Sequence, residues 1–360
     1  MSLTELNLEN FRNIAGARLS PGRGFTLLHG ANGSGKTSLL EAIWYLGHAR
    51  SFRTRQPDRM IREGAELMRV TARVRTEGSD SAPEPLGLER QRGGEQRIRL
   101  GGQPVRSLAE LVSCLPMQLL NQDSHRLIEG GPRERRQFLD WGVFHVEQGF
   151  YPAWQRYSRT LRQRNAALRA GARVDGIRVW DAPLAEAAQS IDSYRRAYVA
   201  RLGERLRRLG PELVDLPPVA LQYRSGWTGN RSFAESLGAH LEADLRQGFT
   251  QQGPHRADLA IRVGEVPARE RISRGQQKQL VMALLLAQAE IHREATGRHS
   301  LFLIDDLPAE LDRTHRARLI DRLQALESQV FVTANHAEDV PLPIGAAVFH
   351  VEQGSVRPAG

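Results

Sequence analysis

The sequence predicts an α/β fold, an ATPase-type head interrupted by a helical lobe. Three observations predict it. An apolar run, "GFTLLHG", leads into the glycine-rich "GANGSGKT" and then into "KTSLLEAIWYLG", whose Leu39, Leu40, Ile43 and Leu46 recur at helical spacing. A second apolar run, "LFLIDD", ends in two adjacent acids. Between them, residues 133–245 read as helices, with Leu184, Ala187, Ile191, Tyr194, Tyr198, Leu202, Leu206 and Leu209 near a heptad seam.

In chain order, "LTELNLENF" and "GFTLLHG" read as strands, and "MRVTARVRT", "QRIRLGG" and "CLPMQLL" follow the first helix as further strands. The turn-rich "GSDSAPEPLG" reads as an exposed hairpin end. The helix "LRQRNAALRAG" and the heptad-like run after it predict a helical hairpin. Strand character returns in "ADLAIRV", "SLFLID" and "QVFVTA". The expected organisation is a discontinuous head, 1–132 with 246–360, and an inserted helical lobe, 133–245.

Composition bounds the class. A chain of 360 residues with 40% apolar and 25% charged content is long enough for a substantial core. No signal-like N-terminus and no membrane-spanning apolar run are evident, which gives a cytoplasmic expectation without membrane partners. One cysteine, Cys114, excludes an internal disulfide, and no CxxC offers a zinc site. Of the cations, which leave a formal net charge of +9, all but Lys36 and Lys278 are arginine. Residues 151–210 hold thirteen arginines against five acids, a concentration that suits a polyanion such as DNA; Arg162, Arg164 and Arg169 are the candidate contacts.

"GANGSGKT" matches the phosphate-loop pattern G-x-x-x-x-G-K-[ST] in full, placed between a strand and a helix as its mechanism requires. The loop comprises Gly30, Ala31, Asn32, Gly33, Ser34, Gly35, Lys36 and Thr37. Its glycines let successive N–H groups turn toward phosphate, Lys36 supplies charge, and Thr37 offers a hydroxyl to Mg²⁺. Asp305 suits the metal role from the end of the apolar strand. Asp306 suits the orientation or deprotonation of an attacking water. ATP and Mg²⁺ are the expected cofactors.

A second polar loop, Ser273-Arg274-Gly275-Gln276, opens the helical run "KQLVMALLLAQ". A Ser-x-Gly-Gln loop some thirty residues before an acidic strand and a "Glu-Leu-Asp" turn is the layout of ABC-type ATPases. In that class this loop caps the γ-phosphate of ATP held by the other subunit, so a composite site and a homodimer are expected. Arg274 stands where many members have a second glycine, and Asp306 where the usual catalytic residue is Glu. That class also has an Mg²⁺-sensing glutamine, expected here at Gln118 or Gln122, with Gln118 favoured. The switch residue after the last strand is His336, with Asn335 as rival.

Over essentially its whole length the chain resembles the RecF family of bacterial recombination-mediator ATPases. The blocks that carry the resemblance are "LNLENFRNI", "GHARSFRT", "GGPRERRQFLDWGVFH", "LRQRNAALR", "QQGPHRADL", "SRGQQKQLVMALLLAQ" and "LIDDLPAELD". The resemblance implies an SMC-like head with a helical second lobe, ATP-dependent dimerisation and slow hydrolysis. It further implies binding to DNA at single-strand gaps, RecR and RecO as partners in loading RecA, and a part in repair, replication restart and SOS induction. It also brings Arg12 and Asn13 within reach of the nucleotide.

Arg53 and Arg55 are candidates for phosphate contact, Arg135 and Arg136 read as helix N-terminal surface, and His255 and Arg256 as a head–lobe junction. Trp154, Tyr157, Tyr194 and Tyr198 fit either base stacking or helix core. A transporter ATPase subunit is disfavoured by the arginine-rich lobe. An SMC-type structural protein would need hundreds of heptad residues between its ATP loops, and a small-molecule P-loop kinase would lack the 273–276 loop.

Overall fold

The computed structural model describes residues 2–75, 82–228 and 231–359, which form two compact units, 1–124 with 292–360 and 125–291. Among the described residues no helix is long and apolar enough to cross a membrane.

The first unit contains two six-stranded sheets. One is antiparallel and runs in the order Ile14–Leu19, Ser2–Phe11, Leu67–Arg75, Glu84–Gln91, Gln96–Leu100, Gln103–Pro104. The predicted hairpin end at 78–87 lies partly outside the described residues, since 78–81 are not among them. The other sheet runs Ser355–Pro358, Ala347–Glu352, Phe25–His29, Val330–Ala334, Leu301–Ile304, Met117–Leu120. All its pairings are parallel except the terminal hairpin of Ala347–Glu352 with Ser355–Pro358. Leu301–Ile304 and Val330–Ala334 are buried at every position, as their unbroken apolar runs require of strands covered on both faces.

The helix Lys36–His48 joins both sheets into one core. Leu39, Leu40, Ile43 and Leu46 pack with Leu6, Leu8 and Phe11 of the antiparallel sheet and with Leu303, Phe331 and Val351 of the parallel one. Each such side chain contributes about 1.5–3 kcal/mol by leaving water. The phosphate loop is thereby mounted on the most buried helix of the unit.

The second unit carries the predicted helical hairpin. Phe150–Arg169 and Asp181–Leu213 pack against each other, and Leu184, Ala187, Ile191, Tyr198, Leu202, Leu206 and Leu209 are buried. Pro132–Val146 also packs on the long helix. A Cβ at Gly142 would lie 2.1 Å from the Tyr198 hydroxyl, so only glycine lets the two helices approach there.

Residues 246–291, grouped above with the head, are compact with this helical unit instead. Asp258–Val263 pairs with Val219–Arg224, a strand inside the otherwise helical stretch. Arg135 anchors the same strand through a two-bond fork on Asp258, at 2.8 and 3.1 Å. Arg136 donates to the Ala257 carbonyl at 2.7 Å. His255 lies inside this unit too, between the Tyr157 hydroxyl at 2.6 Å and the Thr250 carbonyl at 3.1 Å, and burial lowers its pKa to about 4.

Candidate nucleotide site

The strand order brings the chemistry together. Phe25–His29 feeds the phosphate loop and Leu301–Ile304 ends at Asp305, with Val330–Ala334 between them in the sheet. The C-terminal ends of three parallel strands therefore converge, where ligands of open α/β sheets bind. The cleft there has a volume of about 1150 Å³. Its lining, all from the first unit, includes Arg12, Asn13, Asn32, Gly33, Gly35, Lys36, Thr37, Asp305 and Asp306, with Arg53 and Arg55.

The loop is held in a conformation that its glycines permit. Gly30 has φ 151°, and a Cβ there would stand 2.1 Å from the Val351 carbonyl oxygen. Gly35, at φ 119°, opens the helix without any side-chain cap, leaving its first-turn amides to an anion. Ser34 Oγ is buried with no hydrogen-bond partner, an orphan that an oxyanion ligand would satisfy. Lys36 Nζ donates to the loop carbonyls of Gly30 (2.6 Å) and Ala31 (2.9 Å) and to Asn335 Oδ1 (3.1 Å).

Thr37 Oγ1 lies 2.9 and 3.0 Å from the two Asp305 carboxylate oxygens. Thr333 donates to Asp305 Oδ1 at 2.9 Å and accepts the Asp306 N–H at 2.7 Å. Burial pushes the Asp305 carboxyl above its ordinary pKa, against the hydrogen bonds from Thr333 and Thr37. Burial likewise pushes the Lys36 ammonium below its ordinary value, opposed by Asp306 and Asp305. Burial thus disfavours the charged form of both groups, and a divalent cation beside Asp305 with a polyphosphate beside Lys36 would favour it. Asp306 adopts a left-handed backbone, φ 51°, at the N-cap of the short helix Leu307–Glu310. Aspartate is one of the few residues besides glycine that visit this region readily.

Arg12 and Asn13 form the two-residue turn between Ser2–Phe11 and Ile14–Leu19, with Arg12 at φ 53°. Asn13 donates to the Ser34 carbonyl at 3.2 Å and accepts from Ser38 at 3.1 Å. The hairpin tip is thus tied to the phosphate loop.

Two expectations, Gln118 as metal sensor and Arg164 as DNA contact, are corrected. Gln118 pairs in register with Phe302 inside the sheet and is buried, because the strand continues to Leu120. Gln122, beyond the strand end, lines the cleft instead. His336 is exposed and borders, with His29 and His350, a cavity that also touches the phosphate loop at Gly30, Ala31 and Asn32, and its neighbour Asn335 reaches Lys36. Arg164 is fully buried in the second unit: it bonds Asp181 (2.8 Å), Asp244 (2.7 Å) and Thr250 (2.7 Å), so it presents nothing to DNA.

Arg162 and Arg169 are exposed, as are Arg159, Arg173 and Arg178 around the hairpin's turn. Tyr157 and Tyr198 are core residues, and Trp154 carries the buried Arg195 over its ring at 5.5 Å. Arg164→Ala is expected to cost about 3–5 kcal/mol of stability by leaving two carboxylates without their cation. Equilibrium denaturation checks this, and an unchanged midpoint would contradict it.

Ser273, Arg274 and Gly275 are exposed in the second unit. Ser273 and Gln276 form a reciprocal cap on the helix Arg274–Thr296. The Ser273 N–H donates to the Gln276 side chain at 3.0 Å, and the Gln276 N–H donates to Ser273 Oγ at 3.3 Å. Thr333, Arg90 and Arg92, which line the cleft, and Glu41 on the phosphate-loop helix had no assignment from the sequence. Glu41 carried a signal, being the single acid in the apolar run "LLEAIWYL".

A family model described as "RecF/RecN/SMC N terminal domain" matches residues 2–343. The DNA replication and repair protein RecF of Shewanella baltica is 42% identical over 359 residues, covering 99% of both chains. The chain belongs to the RecF family. The RecF of Azotobacter vinelandii is 45% identical over 366 residues, covering 99% of this chain and 98% of that one. A solved structure of the recombination mediator protein RecF with ATP superposes with TM-score 0.88 at 27% identity, covering 99% and 97%. The fold is accordingly the P-loop ATPase head of RecF and SMC proteins with helical insertions.

Proposed function

We propose that the chain is an ATP-dependent, DNA-binding recombination mediator. It dimerises on ATP, binds DNA at single-strand gaps and helps load the recombinase during repair, replication restart and SOS induction. The observation that carries the reading is the convergence of Lys36, Thr37 and Asp305 on one cleft in a chain matched end to end by RecF proteins. RecR- and RecO-type mediators are its proposed partners.

Thr37 and Asp305 would hold Mg²⁺, whose chemistry when bound is neutralisation of charge on the polyphosphate. The loop amides and Lys36 bind the phosphates and fix their orientation. Thr333 sets the Asp306 backbone, and the Asp306 carboxylate orients the attacking water and takes its proton. Gln122, on the cleft wall, would sense the metal when it is bound, and Asn335 takes the switch position beside Lys36.

Fluorescence anisotropy with gapped duplex DNA tests the reading. Binding is expected with ATP and not with ADP, and Lys36→Ala is expected to abolish the difference. Equal affinity in every nucleotide state would overturn it. Arg162 and Arg169, reversed together to Glu, are expected to weaken binding on all sequences and to flatten the salt dependence, each lost phosphate contact lowering the slope by about 0.9. An unchanged slope in the folded variant would move the DNA surface elsewhere.

A further inference from the structure

Glu41 has no counterpart in the chemistry assigned so far. It lies on the phosphate-loop helix, its side chain is 0% exposed, and a carboxylate so placed is costly unless it is well bonded. Three side chains bond it. Arg12 forks across both oxygens, Nε to Oε2 at 2.9 Å and Nη2 to Oε1 at 2.6 Å. Ser51 donates to Oε1, and Arg53 Nη1 donates to Oε2 at 3.3 Å.

The two arginines are not held alike. Arg12 is 19% exposed and also donates to the Arg59 carbonyl at 2.8 Å, which locks it into the cleft wall. Arg53 is 44% exposed and gives Glu41 a single longer bond, so most of its donors are not engaged by Glu41. Its backbone is fixed at the same point, since the N–H groups of Arg53 and Thr54 both donate to Ser51 Oγ, at 2.8 and 3.0 Å. Arg53 lines the cleft, and its charge acts on Asp305, the acid at the phosphate end.

We propose that Glu41 is a positioning residue that orients Arg53 toward the polyphosphate of a bound nucleotide, through the same carboxylate that anchors Arg12. The inference rests on the nucleotide reading of the cleft and adds a ligand preference. Arg53 favours di- and triphosphates over a monophosphate, because it lines the cleft together with Lys36, Thr37 and Asp305, the residues that serve the outer phosphates and their metal.

The experiment is a double-mutant cycle on the affinity of the full chain for Mg²⁺-ATP, with AMP as a second ligand. Arg53→Gln is expected to weaken ATP about tenfold, the loss of one charge-assisted contact, and to leave AMP unchanged. Glu41→Gln is expected to weaken ATP to a similar extent. Added to Arg53→Gln it should cost less than about twofold more, because its effect passes through Arg53. Losses that multiply, or an AMP affinity that falls as far as that of ATP, would overturn the proposal in favour of a purely structural carboxylate. Should Glu41→Gln fail to fold, Glu41→Asp, which keeps the charge one methylene short, goes through the same cycle and decides by the same criterion. Lys36→Ala separates the two levels of the argument. If it binds ATP as tightly as the parent, the nucleotide reading itself fails; if it loses ATP while the cycle is multiplicative, only the role of Glu41 fails.

Discussion

Asp306→Asn is expected to leave ATP affinity near the parental value while lowering kcat by about 10²–10⁴-fold, the usual contribution of a positioned general base. The geometry separates this acid from its neighbour. Asp305 is committed to Thr37 and Thr333, and its substitution should impair Mg²⁺-dependent nucleotide retention. Asp306 gives only its backbone N–H to Thr333, and it lines the cleft with Lys36, Thr37 and Asp305. Asn preserves shape and abolishes proton acceptance, so the nucleotide is held but not turned over and the ATP-bound dimer accumulates. Single-turnover hydrolysis beside equilibrium ATP binding makes the measurement. A parental rate would assign the water to another residue. Aspartate in place of the more usual glutamate is one methylene shorter, and Asp306→Glu is the natural companion variant.

The site was legible in the sequence where local chemistry dictates local structure. The phosphate loop announces itself because Gly30 and Gly35 occupy backbone conformations that other residues resist. Asp305 announces itself because a strand buried on both faces must be apolar until it ends. The neighbouring assignments turned on where a strand stops, which an apolar pattern leaves open by a residue or more. Gln118 lies two residues before the end of its strand and Gln122 two after it, and only the pairing of Leu120 with Ile304 separates them. Asn335 and His336 differ by one position in the same way.

Arg164 shows a second limit. Its charge counted toward the basic lobe, yet its acceptors Asp181, Asp244 and Thr250 stand 17, 80 and 86 residues away in sequence. Burial of a cation depends on such distant partners, so a local charge count cannot reveal it. Val219–Arg224 was hidden for a similar reason, since its partner strand lies beyond two intervening helices.

Mixing two inactive variants, Lys36→Ala and Ser273→Arg, is expected to restore ATP turnover to about a quarter of the parental activity if chains assort at random. The proposed site joins Lys36 of one chain to the Ser273 loop of its partner. In a two-fold dimer with one copy of each variant, both defects fall on the same site. The opposite site keeps an intact Lys36 and an intact Ser273. Half of the dimers are mixed, and each mixed dimer has one working site of its two. Were both motifs to serve the ATP of their own chain, neither chain would have a complete site and the mixture would stay inactive. The Ser273 variant needs one control that the local geometry dictates. Its hydroxyl caps the helix Arg274–Thr296, so the substitution removes about 1 kcal/mol of helix stability besides blocking the cap on ATP. A thermal melt of Ser273→Arg must therefore show a folded chain before mixing. Because a dimer clamped by a single ATP is weaker than one clamped by two, recovery should grow with protein concentration. If crosslinking shows mixed dimers and turnover stays absent at every concentration, each chain completes its own site and the shared-site reading is wrong.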